Sequence, residues 1–282
     1  MIAVGISTYN RKALALRCLE AVWQYAGEDT IIAIADDGST DGTPAAISDF
    51  IANVSSPLSF IPIIFIGRKE HRGIAATKKS LTDQLLATKE VTDLLLIEDD
   101  VIPIADGWMN KFIETARANL QAHLLYLPTT WKYGKTFFVT GSEPTQVEWK
   151  VYASGLVMYF RASLLREIGT FDERFGHYGF EHNELTSRAL AAQGQDPEKY
   201  PHCAWAEKSN SLLALDIIEE KLPYAENAAH NKLASSKMAM AQQNKPLYER
   251  LMKDHRNKFN DDRRLVVERS KYFSLPKTPT DT

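Results

Sequence analysis

Cysteine is scarce in this chain. Of 282 residues only Cys18 and Cys203 are cysteine, far apart and outside any CxxC pair, which argues against a disulfide framework and against a cysteine zinc site. Neither sign of charge is in excess: 33 basic residues face 36 acidic ones, a net −3. Bulk attraction to nucleic acid or anionic membrane is therefore not indicated. No apolar run approaches the ~20 residues that span a bilayer. The opening Met1-Ile2-Ala3-Val4-Gly5-Ile6 has neither the basic n-region nor the long apolar core of a secretion signal. A cytoplasmic protein without an integral membrane segment is the expectation. Three nucleotide and hydrolase signatures are also missing: GxGxxG after the first strand, the phosphate loop GxxxxGK[ST], and the GxSxG elbow. Hydrophobic residues make up 44% and charged residues 24%, an ordinary globular balance.

What is present is an alternation. Ile2–Ser7, Ile31–Ala35, Phe60–Ile66 and Leu94–Ile97 are short apolar runs of buried-strand type. Between them, Leu14, Cys18 and Val22, then Ile74, Lys78, Leu81 and Leu85, repeat at helical spacing. Asp41-Gly42-Thr43-Pro44 has the form of a helix start, and Pro62 puts the third strand at an edge or delays its start. Such a rhythm predicts an α/β fold with a mixed, mainly parallel central sheet flanked by helices, and a ligand site at the carboxyl ends of its strands. Beyond Ile104 the rhythm loosens. Helices are predicted over 106–119, 161–168 and 181–193, and strands over 123–127, 137–139, 146–151 and 156–160, the later ones with antiparallel character. The chain divides into a domain over 1–235 (a nucleotide-binding half of about 1–103 and an acceptor half of about 104–235) and a helical C-terminal extension over 236–282 ending in a frayed tail. From Met252 onward seven basic residues outweigh four acidic ones before Tyr272, a solvated helix face or a guide for an anionic acceptor.

Two acidic clusters close predicted strands: Asp36-Asp37 and Glu98-Asp99-Asp100. In a parallel sheet both fall on the ligand-bearing edge. Neighbouring carboxylates repel unless a proton or a cation is shared among them, and a divalent cation held by one or two carboxylates plus phosphate oxygens meets that need. Asp37-Gly38-Ser39 also has the tail of a haloacid-dehalogenase phosphatase motif, but Ala35 stands where its nucleophilic aspartate would be.

Ordered along the chain, these segments resemble the GT-A-fold nucleotide-sugar glycosyltransferases, particularly the family 2 type. Ile6-Ser7-Thr8-Tyr9-Asn10-Arg11 and Ile34-Ala35-Asp36-Asp37-Gly38-Ser39 are similar to the family's opening, and His71-Arg72-Gly73-Ile74-Ala75-Ala76-Thr77-Lys78 to its third signature. Leu96-Ile97-Glu98-Asp99-Asp100 resembles its metal-binding DxD in a Glu-Asp-Asp form. Phe171-Asp172-Glu173-Arg174-Phe175, with Gly179-Phe180-Glu181-His182-Asn183-Glu184-Leu185, resembles its acceptor-side motif. The likeness covers roughly residues 2–235.

The resemblance implies a metal-dependent transfer of a sugar from a nucleoside diphosphate sugar, a UDP-sugar first among the donors, to an acceptor hydroxyl on a glycan, lipid, protein or nucleic acid. It places Thr8, Tyr9 and Arg11 at the nucleotide, Asp37 on a pyrimidine N–H, Lys78 at a phosphate where the family has arginine, and Glu98 and Asp99 at the donor, Asp99 nearest the ribose. Asp100 would bind the metal, completed by His230, with His202 as the second choice; a histidine nitrogen favours Mn²⁺ over Mg²⁺. The leaving diphosphate would be stabilised by that cation. Relatives show Glu-Asp where this chain has Glu181-His182. Either residue could be the general base, or the reaction retains configuration and needs none. Trp131, Tyr133, Trp149 and Trp205 are candidates for the acceptor side, and 130–140 for a loop that closes over the site. A nucleotidyltransferase of similar architecture, and a non-catalytic nucleotide- or carbohydrate-binding module, are the alternative readings.

Overall fold

The computed structural model describes residues 1–55, 61–128, 135–150, 155–196, 202–207, 212–215 and 224–261; within these ranges the side chains of 128, 206–207, 214–215, 224–235 and 255–261 are not described. The first half is built from β1 (Ile2–Thr8), α1 (Lys12–Gln24), β2 (Thr30–Asp36), α2 (Thr43–Val54), β3 (Ile63–Gly67), α3 (Ile74–Leu86), β4 (Asp93–Glu98), β5 (Val101–Pro103) and α4 (Trp108–Ala118). The second half adds β6 (His123–Pro128), β7 (Thr136–Thr140), β8 (Val147–Lys150), β9 (Val157–Arg161), α5 (Ala162–Ile168), α6 (Glu181–Ala192), β10 (His202–Glu207), β11 (Leu213–Leu215) and α7 (Tyr224–Asp261).

Nine strands form one sheet in the order β3-β2-β1-β4-β9-β6-β10-β8-β7. The first four are mutually parallel; β9 runs against both β4 and β6, and β8 against β10 and β7. The remaining pair, β6 and β10, is parallel, so the sheet is mixed with most strands pointing one way. β3 is an edge strand, as Pro62 allows. A separate ribbon pairs β5 with β11.

The strands read as continuous apolar runs because both faces are covered. Period-two alternation sends Val4, Ile6, Ile32, Ile34, Leu95 and Ile97 to one core, shared with Cys18, Leu19 and Val22 of α1, Ile47 of α2 and Trp108 and Phe112 of α4. Ala3, Ile31, Ala33, Leu94 and Leu96 face the other core, with Leu81 and Leu85 of α3, Leu164 of α5 and Leu185 of α6. Each such leucine or isoleucine contributes roughly 1.5–3 kcal/mol of burial. Two of the proposed acceptor aromatics belong to this interior. Trp149 stacks on Phe138 with ring centroids 5.5 Å apart, and Trp205 lies edge-on to Phe112 at 5.0 Å. Both are buried on strands inside the sheet, β8 and β10, and Trp149 with Phe138 also borders a cavity of about 390 Å³ lined by Asn119, Gln121, Thr140 and Gln195. Trp131 and Tyr133 lie outside the described residues. Residues 136–140 of the expected loop are strand β7, in a ladder with β8. Helix α7 runs through position 235, where the extension was expected to begin. Among the described residues no helix is long and apolar enough to cross a membrane.

Candidate functional site at the carboxyl edge of the sheet

Strands β1, β2 and β4 are neighbours and parallel, so Thr8, Asp36 and Glu98 end on one edge. The chain leaves that edge through two acid-bearing turns, after β4 and after β2, and a turn after β1 that carries Tyr9 and Arg11. Thr8 Oγ1 donates to Asp99 Oδ2 at 2.7 Å. Arg11, at the start of α1, sends Nη1 to Asp99 Oδ1 at 2.9 Å and to Asp100 Oδ2 at 3.1 Å. Burial pushes the Asp99 carboxyl up to about 6, against the opposing pull of Arg11 and the Thr8 hydroxyl. Asp100 Oδ1 is buried and has no hydrogen-bond partner. Glu98 accepts from Ser7 Oγ at 3.2 Å and is ion-paired with Lys78. Lys78 was a candidate for a phosphate contact. Its side chain is buried, with the ammonium 6.0 Å from the ring centroid of Phe171. Desolvation works to lower its pKa, but the charges of Glu98, Glu181 and Asp100 outweigh that and keep it protonated.

Asp37 is the hub of the second turn. Its Oδ1 accepts from Arg68 Nη1 at 3.3 Å and from the Arg72 N–H at 3.0 Å; its Oδ2 accepts from the Gly73 N–H at 2.7 Å and meets His71 Nδ1 at 2.7 Å. Asp36 beneath it accepts from the Gly38 and Ser39 amides through Oδ2. The two loops touch so closely that glycine is required twice. At Gly38 (φ +81°) a Cβ would lie 2.7 Å from the Glu70 carbonyl carbon, and at Gly73 (φ +94°) 2.3 Å from His177 Cα. Tyr9 is exposed and lies flat against His71, with centroids 3.9 Å apart and planes 10° from parallel.

The third side comes from the turn into α6. Glu181 is buried; its Oε2 accepts from the Gly179 N–H at 2.9 Å and its Oε1 lies 3.3 Å from His182 Nδ1. Burial alone would raise its pKa, but the hydrogen bond and charge of His182, then Lys78, hold it down to about 2. Lys78 thus faces both acids, Glu98 after β4 and Glu181 at α6. Helix α7 clamps this turn from outside. Asn244 Nδ2 donates to the Phe175 and Tyr178 carbonyls at 2.6 and 3.0 Å, and Tyr248 stacks on Phe180 at 4.7 Å.

The structure therefore gathers Thr8, Tyr9, Arg11, Asp37, Lys78, Glu98, Asp99, Asp100, Glu181 and His182 around one edge and the turns that pack on it. His202 sits buried on β10, where its charge neighbours are His182 and His123. His230 falls on α7 in the stretch whose side chains are not described. Among the described residues no group of three His, Cys, Asp or Glu side chains surrounds a common point. Sequence reasoning assigned no role to His71 or Arg68. The signal that could have found His71 is its place in the motif, two residues before a glycine that packs under the Asp37 turn.

Residues 3–118, which carry the first four motifs, match the family model described as glycosyl transferase family 2. The mannosyltransferase PcManGT from Pyrobaculum calidifontis, solved in complex with GDP-Man and Mn2+, superposes with a TM-score of 0.56 at 13% identity, over 92% of this chain and 73% of that one. S. aureus TarS superposes at 0.50 and 14% identity, over 75% of this chain and 36% of that one. At such identities the likeness is one of fold. No curated protein matches the chain in sequence. Sheet, carboxyl-edge site and superpositions together give the chain the GT-A fold, and residues 3–118 of it match the glycosyl transferase family 2 model.

Proposed function

We propose that the protein transfers a glycosyl group from a nucleoside diphosphate sugar, a UDP-sugar first among the candidates, to an acceptor hydroxyl, with a divalent cation at the diphosphate. One observation carries this reading. The acids after β4 converge with Thr8 and Arg11 after β1, beside the Asp37–Tyr9 corner after β2. The base would stack at Tyr9 and give an N–H to Asp37, Asp99 would meet the ribose, and Arg11 and Lys78 would balance the acids at the phosphate end.

The residues fit a hard cation. Asp100 keeps one buried carboxylate oxygen without a partner, and Mg²⁺ or Mn²⁺ takes few protein ligands when phosphate oxygens complete its shell. Asp100 would hold the ion, which supplies Lewis-acid stabilisation of the departing diphosphate; His230 stays the proposed second ligand, and with it the preference for Mn²⁺. PcManGT, the neighbour of similar fold, was solved with Mn2+ and GDP-Man. At the acceptor end we assign His182 as the general base. Glu181 is too weak a base at a pKa of about 2, yet it is placed to hold the His182 Nδ1–H, leaving Nε2 to take the acceptor proton. Residues 1–103 would serve the donor and 104–235 the acceptor.

Titration calorimetry with UDP, GDP, CDP, TDP and ADP, each with Mn²⁺ or with EDTA, tests the reading on the parent and on Asp100→Asn. One nucleotide is expected to bind with Mn²⁺ only, and Asp100→Asn to weaken it at least tenfold. Binding that ignores both metal and Asp100 would remove the cation from the mechanism, and no binding by any nucleotide would leave the binding-module alternative.

A further inference from the structure

An ionised carboxylate offers about four acceptor positions, and in Asp37 all four are taken. Three donors are fixed in place. The Arg72 and Gly73 amides belong to the loop that Gly73 pins against His177, and Arg68 is itself held by the Ala76 carbonyl at 2.6 Å. The fourth donor is different in kind. His71 reaches Asp37 Oδ2 with a side chain that is 36% exposed, against 14% for Arg68. The same imidazole lies flat on Tyr9 at 3.9 Å and 10°, with His177 on a ring contact of its own at 4.6 Å and 33°.

A flat heterocycle stacked on Tyr9 that gives one in-plane N–H to Asp37 is what the nucleotide reading asks of the donor's base. We infer that His71 is an intramolecular stand-in for that base: it fills the base position in the free protein and swings out when the nucleotide enters. The inference rests on the nucleotide reading proposed above and adds a residue to it. With His71 gone, Asp37 has a single vacant acceptor position on Oδ2, which one in-plane N–H of the incoming base fills; the ring N–H of uracil, thymine or guanine supplies it, and so does an amino N–H of cytosine or adenine.

A ligand that must wait for a competent minority of the protein binds more weakly by that fraction. If His71 holds the position about nine-tenths of the time, removing it tightens binding roughly tenfold. Titrating UDP and GDP into the parent and His71→Ala, with Mn²⁺ present, should show the variant binding at least threefold tighter. Equal or weaker binding by a folded His71→Ala would overturn the stand-in. A second measurement needs no variant. The nuclear Overhauser contact between the Tyr9 and His71 rings should vanish from the parent on saturation with the nucleotide that binds, and its persistence would make His71 a fixed wall of the site. Failure of the underlying reading looks different, because then neither protein binds either nucleotide.

Discussion

At the scale of the residue, the Glu181–His182 pair divides its labour by environment. Glu181 is buried and held ionised by its neighbours, so in the proposed mechanism it would orient the imidazole rather than accept a proton. His182→Ala is expected to lower kcat by about 10²- to 10⁴-fold, the usual worth of a positioned base, with donor affinity unchanged. Glu181→Gln, which can orient but no longer charge-balance, should lose roughly 10- to 100-fold. Turnover within a few-fold of the parent for both variants, measured with the donor found by calorimetry, would favour a base-free retaining route. The acids were legible in sequence because an apolar run that stops on Glu98-Asp99-Asp100 must set them at a strand end. Lys78 was legible as a cation but not as a buried one, since only the packing of α3 under Phe171 decides that. His71 was silent. Its meaning comes from two contacts with residues far away in sequence, and no periodicity encodes a rotamer.

At the scale of the element, the join between the two halves is one reversed strand. Asp93 begins β4 and Arg161 ends β9, directly across from each other. Arg161 Nη1 reaches both Asp93 oxygens, at 2.7 and 2.8 Å, and Tyr159 Oη donates to Asp93 at 2.7 Å. All three side chains are buried, so removing one partner strands a charge. Asp93→Ala should cost about 3–5 kcal/mol, whereas the double change Asp93→Leu with Arg161→Met should cost far less; urea midpoints of the two proteins give the comparison. Equal losses would mean the pair does no more than fill space. The four parallel strands announced themselves because burial on both faces makes their runs unbroken. β5, β10 and β11 did not. β5 and β11 are three residues each and are held by pairing with each other, and β10, of six residues, opens on His202 and ends on Glu207 rather than on an apolar run.

At the scale of the whole molecule, the interior carries histidine where acid will find it. His123 is buried between Phe160 and the Tyr159 carbonyl, and burial lowers its pKa to about 4; burial and the nearby charges of His182 and His123 lower that of His202 to about 3. Unfolded, each takes a proton near 6.5. Below that pH the unfolded chain binds more protons than the folded one, so stability falls as pH falls. By the time the folded pKa is reached, His123 withdraws roughly 3 kcal/mol and His202 roughly 5 kcal/mol. Glu181 adds to the loss between about 4.5 and 2, where the unfolded carboxylate is protonated first. The urea midpoint should be level above pH 7 and decline steadily from 6.5 to 4, with a shallower decline in His202→Phe. A level profile down to pH 5 would contradict the buried neutral state. The shared sheet has a mechanical consequence as well. With β9 laddered on one side to β4 and on the other to β6, the two halves of the sheet are welded through backbone hydrogen bonds, and a hinge between them would have to unzip a strand. In the proposed reading, substrate would be admitted and released by turning side chains and short loops at the rim, against a floor that does not bend.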